Sequence, residues 1–76
     1  GSIMEGEILW KKDHYAIRYF EDGDEHLQSL ALGDEIEVLV NDAWKKVKVE
    51  AKNGEPVLVG VGYGDGIGCQ ARFEKK

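Results

Sequence analysis

The chain has 76 residues, which is enough for one domain and too few for two. A single cysteine, Cys69, excludes an internal disulfide and is typical of a reducing compartment, so we expect a cytoplasmic location. The net charge of −5 opposes general nucleic-acid binding. No apolar run approaches about 18 residues, so no membrane span is expected, and no basic segment precedes an apolar one, so no signal peptide is expected.

Two β-strands are predicted at the start of the chain. Residues 7–11 alternate in polarity, with Ile8 and Trp10 on one face. A turn follows at residues 12–14, and residues 15–20 are rich in aromatic and β-branched side chains, which favour a second strand. Residues 1–4 are interpreted as a cloning remnant or a disordered start, so the single domain is expected to span residues 5–74.

An acidic cluster and an ambiguous segment come next. The cluster places four carboxylates around Gly23, and their mutual repulsion predicts a loop; its members are Glu21, Asp22, Asp24 and Glu25. In residues 26–32 the leucines have helical spacing, but the segment is too short for a confident helix. We therefore predict a loop pinned by leucines or one short helical turn.

Residues 34–61 are predicted to form three strands joined by two tight turns. In the first strand the even positions from Ile36 to Val40 face inward, and in the second Val47, Val49 and Ala51 do so. Trp44 has the parity of the outward-facing lysines, which places its ring on the outer face unless a bulge shifts the register; a half-buried position at the edge of the core is the alternative. Asn53-Gly54 predicts a type I′ hairpin turn because both central residues of that turn need positive φ.

The remainder of the chain contributes a glycine-rich loop and a final strand. Glycine occupies every second position from 60 to 68, which predicts a loop with unusual backbone angles rather than a strand. Residues 70–74 form the last strand, with Ala71 and Phe73 on the core side, and residues 75–76 are expected to fray. Short, regularly spaced strands predict an all-β fold, a small barrel of five to six short antiparallel strands.

Several of these segments together resemble a known family. They are residues 32–38, which lead into the third strand, Trp44 after a tight turn, the strand at residues 57–60 before a glycine-containing loop, and residues 71–73. In this order they resemble small, uncharacterised SH3-like barrel proteins carried by bacterial phages and other mobile elements, over roughly residues 5–74. The resemblance implies an SH3-like barrel and a bacterial or phage setting, and it supplies no activity or site residues.

No catalytic, cofactor or metal site is predicted. The two histidines and Cys69 lack metal-ligand spacing. The acidic cluster departs from the calcium-binding loop pattern at His26 and Leu27. The glycine run gives neither the dinucleotide nor the Walker pattern. We therefore expect a non-enzymatic module without a cofactor.

The favoured function is binding of another protein. The acidic cluster would meet a basic patch on the partner, at a position where the resemblance implies a long partner-reading loop. Two exposed aromatic residues, Trp44 and Tyr63, would add apolar contacts. The oligomeric state is left open.

Two alternatives remain at this point. The first 42 residues carry a charge of −8 and the remaining 34 carry +3. The basic half offers a nucleic-acid face, consisting of Lys45, Lys46, Lys48 and Lys52. The acidic half instead suggests an inhibitor from a mobile element that imitates the charge of DNA.

Overall fold

The computed structural model describes residues 2–62 and 64–76, which form one antiparallel sheet of seven strands. The strands are β1 (Ile3–Lys11), β2 (His14–Glu21), β3 (Asp24–Ser29), β4 (Glu35–Val40), β5 (Ala43–Lys52), β6 (Glu55–Val59) and β7 (Gln70–Glu74). Their order across the sheet is β3-β2-β1-β7-β4-β5-β6. The all-β class is confirmed, and the count of five to six strands is wrong because seven are present.

The additional strand is β3, in the segment predicted to be a loop or a helical turn. It pairs with β2 along its whole length, from Glu21 opposite Asp24 to Ala16 opposite Ser29. The alternating pattern is missing because the inward positions of β3 carry His26 and Gln28. These polar side chains find partners on the inner side: His26 stacks on Tyr19 with 5.4 Å between ring centroids, and Gln28 Nε2 donates to the Glu74 carbonyl at 3.3 Å.

The acidic cluster is a tight hairpin rather than a loop. Glu21 ends β2 and Asp24 begins β3, so only two residues form the turn. These residues, Asp22 and Gly23, have φ values of 54° and 82°, which are the left-handed angles of a type I′ turn. Strand pairing therefore holds the four carboxylates together in spite of their repulsion, and the long partner-reading loop implied by the family resemblance is not present.

Both ends of the sequence are more structured than expected. β1 begins at Ile3 and pairs with β7, so residues 3 and 4 belong to the sheet and not to a disordered start. Lys75 also does not fray: its backbone N–H donates to the Ser2 carbonyl at 2.9 Å. The ammonium of Lys76 lies 3.1 Å from a carboxylate oxygen of Asp34.

The hydrophobic core consists of side chains from one face of nearly every strand. Its fully buried centre consists of Ile8, Ile17, Val38, Val47 and Val49. The predicted inward positions of β4 and β7 are confirmed, as are Val47 and Val49 of β5, whereas Ala51, next to the β5–β6 turn, is exposed. In β6 the sequence predicts one shared face for Val57, Val59 and Val61. The structure instead packs Leu58 against the core and leaves Val59 exposed, while Val61, after the strand, is buried.

Tight turns fix the register of the meander. Asn53 and Gly54 have φ values of 53° and 80°, which confirms the predicted type I′ turn. Asn41 and Asp42 form a second turn with positive φ at both positions, 50° and 64°. The two turns hold β4, β5 and β6 in a register that leaves Trp44 on the outer face, opposite Leu39.

Candidate functional site

The acidic hairpin, defined here as Glu21–Glu25, is only partly neutralised by basic side chains. The Glu21 carboxylate lies 2.7 Å from the Lys75 ammonium, and Glu25 lies 3.0 Å from the Arg18 guanidinium. Asp22 and Asp24 at the tip are exposed and make no ion pair with any other described residue. Asp22 lies near enough to Lys75 for its charge to contribute to the raised pKa of that ammonium, so the tip presents to solvent two carboxylates without an ion pair, one of them partly balanced.

The hydrogen bond from Lys75 shifts both groups of its ion pair. It lowers the pKa of Glu21, and the hydrogen bond to Glu21 raises the pKa of Lys75. Both groups lie near the surface, so salt screens the interaction. The ion pair links the end of β2 to the residue after β7 and so holds the base of the acidic hairpin.

This ion pair predicts a specific pH dependence of stability. A carboxylate whose folded pKa is depressed contributes stability above its unfolded pKa, and loses that contribution as the pH falls through the folded value. Acid unfolding of the wild type should therefore include a component below about pH 4 that Glu21→Gln lacks.

The measurement is the urea midpoint as a function of pH, with Glu50→Gln as an exposed control on β5. If Glu21→Gln and the wild type lost stability in parallel between neutral and acid pH, the ion pair would not contribute.

Trp44 lies far from the acidic hairpin in the strand order. β5 is separated from β2 by β1, β7 and β4. The indole is half-buried, and the Arg72 guanidinium covers its ring at 3.9 Å from the centroid. Arg72 also contacts Glu37 at 3.0 Å. The structure therefore does not join Trp44 and the acidic hairpin into one surface, and Tyr63, the other predicted aromatic, lies outside the described residues.

The basic residues of β5 face acidic residues on the neighbouring strands. Glu35 is opposite Lys48 and Glu37 is opposite Lys46 on β4, while Glu55 is opposite Lys52 on β6. The fourth predicted residue, Lys45, lies on the other face of β5, opposite Val38. Cross-strand pairs of opposite charge reduce the field available to a phosphate backbone. The lysines thus do not form a continuous basic face.

An open groove of about 230 Å³ crosses the outer face beside these pairs. Ile3 and Lys46 are among its lining residues, together with three glutamates: Glu35, Glu37 and Glu74. The groove is shallow and mixed in charge, and among the described residues no polar or charged side chain is buried. Its geometry offers contact area and no enclosed reaction site.

A hydrogen-bonded chain of Asp13, His14 and Ser29 was missed by the sequence analysis. His14 Nδ1 lies 2.8 Å from Asp13 Oδ1, and His14 Nε2 lies 3.1 Å from Ser29 Oγ. The composition matches a hydrolase triad, but Asp13 is 82% exposed. The two backbone N–H groups after Ser29 are occupied, donating to Tyr15 and Asp34. No oxyanion site is available from them, so this chain ties the β1–β2 turn to the end of β3.

A second feature missed by the sequence analysis is the apolar surface beside the acidic hairpin. Phe20 is 60% exposed and Leu27 is 44% exposed, and both lie on the outer face of the β2–β3 hairpin. Arg18 covers one side of the Phe20 ring at 5.6 Å from its centroid. The alternation of β2 could have predicted the exposure of Phe20, because Phe20 has the opposite parity to Tyr15, Ile17 and Tyr19.

Within residues 2–62 and 64–76, no group of three or more metal-ligating side chains is close enough to hold an ion. In the same part of the chain there is no helix long and apolar enough to cross a membrane.

Comparison with known proteins identifies the family. The chain belongs to a family described as a domain of unknown function, DUF5348, whose sequence profile matches residues 6–73. No curated protein and no solved structure matches the chain. The match includes residues of all seven strands and leaves out residues 3–5 of β1 and Glu74 of β7.

Proposed function

We propose that this member of the DUF5348 family is a non-enzymatic module that binds another protein through the outer face of its β2–β3 hairpin. The proposed surface combines two exposed apolar side chains, Phe20 and Leu27, with the acidic tip at Asp22 and Asp24. Its partner carries a basic patch next to an apolar one. The surface differs from the one expected from sequence in that Phe20 and Leu27 replace Trp44 and Tyr63.

The observation that carries the proposal is the exposure of Phe20 on the hairpin whose tip carries two carboxylates without an ion pair. Aromatic side chains, phenylalanine included, are enriched at protein interfaces relative to the rest of the surface. The two aspartates at the tip attract a basic partner at long range and speed its association. By contrast, Trp44 is already covered by Arg72, and the lysines of β5 already face glutamates.

The overall shape is part of the proposal: the sheet curls into an SH3-like barrel, as the family resemblance implies. One observation supports closure. Leu30, just after β3, lines the same groove of about 300 Å³ as Pro56 on β6, although β3 and β6 lie at opposite ends of the strand order. Nuclear Overhauser contacts between Leu30 and Pro56 would test the closure, and their absence would leave an open sheet.

The setting implied by the resemblance, a bacterial mobile element, determines where to look for the partner. We expect a Phe20→Ser/Asp22→Asn variant to lose the proteins that the wild type captures from bacterial lysate. For a purified partner, the dissociation constant should rise on the order of tenfold or more.

The matched control is Leu32→Ser/Asp42→Asn, which removes one exposed apolar side chain and one turn carboxylate elsewhere on the surface. Thermal unfolding of both variants shows whether they remain folded. Equal recovery of the same proteins by the wild type and both variants would remove the β2–β3 hairpin as the binding surface.

A further inference from the structure

The two edges of the sheet are protected to different degrees. Within the described residues, β3 and β6 each pair with one neighbour only. β6 contains Pro56, which has no N–H to offer an incoming strand, and proline is a common means of blocking an edge. β3 contains neither proline nor lysine and has Leu27 near its centre. Pro56 approaches Leu30, beyond the end of β3, so the edge from Glu25 to Ser29 remains open to pairing with another strand.

Hydrogen bonding to β2 fixes which groups of β3 point outward. The Leu30 N–H donates to the Tyr15 carbonyl at 2.9 Å, so this pair is hydrogen-bonded. Hydrogen-bonded and non-hydrogen-bonded pairs alternate along antiparallel strands. The even residues of β3 therefore bond to β2, and the N–H and C=O groups of Glu25, Leu27 and Ser29 point to the open edge.

We propose that two copies of the chain pair through the open edges of β3, antiparallel, with the two-fold axis at Leu27. In this register Leu27 lies opposite Leu27 of the second copy, and Glu25 lies opposite Ser29 of the second copy. Every outward-pointing N–H of these three residues then has a carbonyl partner across the axis. Two-fold symmetry perpendicular to the sheet keeps the outer face of each copy on the same side.

The choice of a second copy rests on a register in which the charged side chains of the strand do not oppose each other. Centring on Leu27 places no two carboxylates opposite each other, whereas centring on Glu25 would place Glu25 against itself. Like charges directly opposite on paired strands are destabilising. The two acidic tips lie at opposite ends of the paired strands, where their repulsion is weakest.

Self-pairing would also enlarge the proposed binding surface, and in this respect it rests on the proposed function. Phe20 and Leu27 of the two copies form one outward-facing apolar strip, with an acidic tip at each end. A single module offers two large apolar side chains, and the paired form offers four in one continuous sheet. The partner would then meet a two-fold symmetric surface.

The test is sedimentation velocity of the purified chain over a wide range of concentration. We expect a monomer–dimer equilibrium that shifts toward dimer as salt is added, because each copy carries −5 and salt screens their repulsion. Leu27→Lys places two ammonium groups in opposition and should raise the dimer dissociation constant about tenfold or more. Leu32→Lys, at an exposed residue away from the edge, should leave it unchanged.

Hydrogen exchange distinguishes dimerisation through the β3 edge from dimerisation through any other surface. The amides of Glu25, Leu27 and Ser29 should become protected with rising concentration, while those of His26 and Gln28 are protected throughout. Leu27→Pro removes one outward N–H and no bond to β2, so it should abolish dimerisation in a folded chain, as judged by circular dichroism. A wild type that stays monomeric, or a dimer unaffected by both Leu27 variants, would overturn the proposal without touching partner binding.

Discussion

Replacing Gly6 by alanine should unfold or severely weaken the domain. Gly6 lies in β1 opposite Ala71, where β1 runs between β2 and β7. A Cβ atom there would overlap the backbone carbonyl of Arg18 and approach Ile17 Cγ2 to 2.8 Å. A backbone carbonyl in a paired strand cannot move aside as the end of a flexible side chain can. We expect a loss of about 3 kcal/mol or more in the free energy of unfolding.

Urea unfolding followed by tryptophan fluorescence measures this loss. The matched control is Gly23→Ala at the tip of the acidic hairpin, where a Cβ meets no atom within 4 Å and only the φ of 82° opposes the substitution. Its cost should be about 1 kcal/mol. Similar urea midpoints for Gly6→Ala and Gly23→Ala would show that the close approach of β1 and β2 relaxes easily.

The second large effect is expected at Ile8. Its side chain is fully buried, with 0% exposure, at the centre of the core. Truncation to alanine removes buried methylene groups and leaves a cavity, at a cost of about 2–5 kcal/mol. A domain of this size has only about 3–5 kcal/mol of net stability, so Ile8→Ala should be largely unfolded at 37 °C.

β1 supplies the control for this substitution. Ile3, in the same strand, is 65% exposed, so Ile3→Ala removes the same atoms from a solvated position. Its effect should be below about 0.5 kcal/mol. Thermal unfolding monitored by circular dichroism compares the two variants, and equal melting temperatures would contradict the assignment of Ile8 to the core.

Much of the sheet could be predicted from the sequence because most of its strands follow a simple alternation. β4 and the second half of β5 place apolar residues at every second position, β7 does so with Ala71 and Phe73, and Asn53-Gly54 specifies its own turn. β3 could not be predicted in this way. Its inward side chains are polar and find partners on distant residues, His26 on Tyr19 and Gln28 on the Glu74 carbonyl. No local pattern contains that information.

The candidate site was likewise predictable only in part. The cluster of four carboxylates is evident from the sequence. Its hairpin geometry depends on the pairing of β2 with β3, a strand that was not predicted. Repulsion among carboxylates indicated a loop, and strand pairing together with the ion pairs of Glu21 and Glu25 outweighs it. Phe20 could have been found from its parity. The covering of Trp44 by Arg72 could not, since it joins residues 28 positions apart in the chain.

The hydrogen bond between Lys75 and Ser2 places the two ends of the sequence side by side. The ammonium of Lys75 also reaches Glu21, so both ends leave the sheet next to the acidic hairpin. Any polypeptide attached at either end would begin its path beside the hairpin. A ligand tethered there would be held at high effective concentration, which makes both ends favourable points of attachment for a second binding unit acting on the same target.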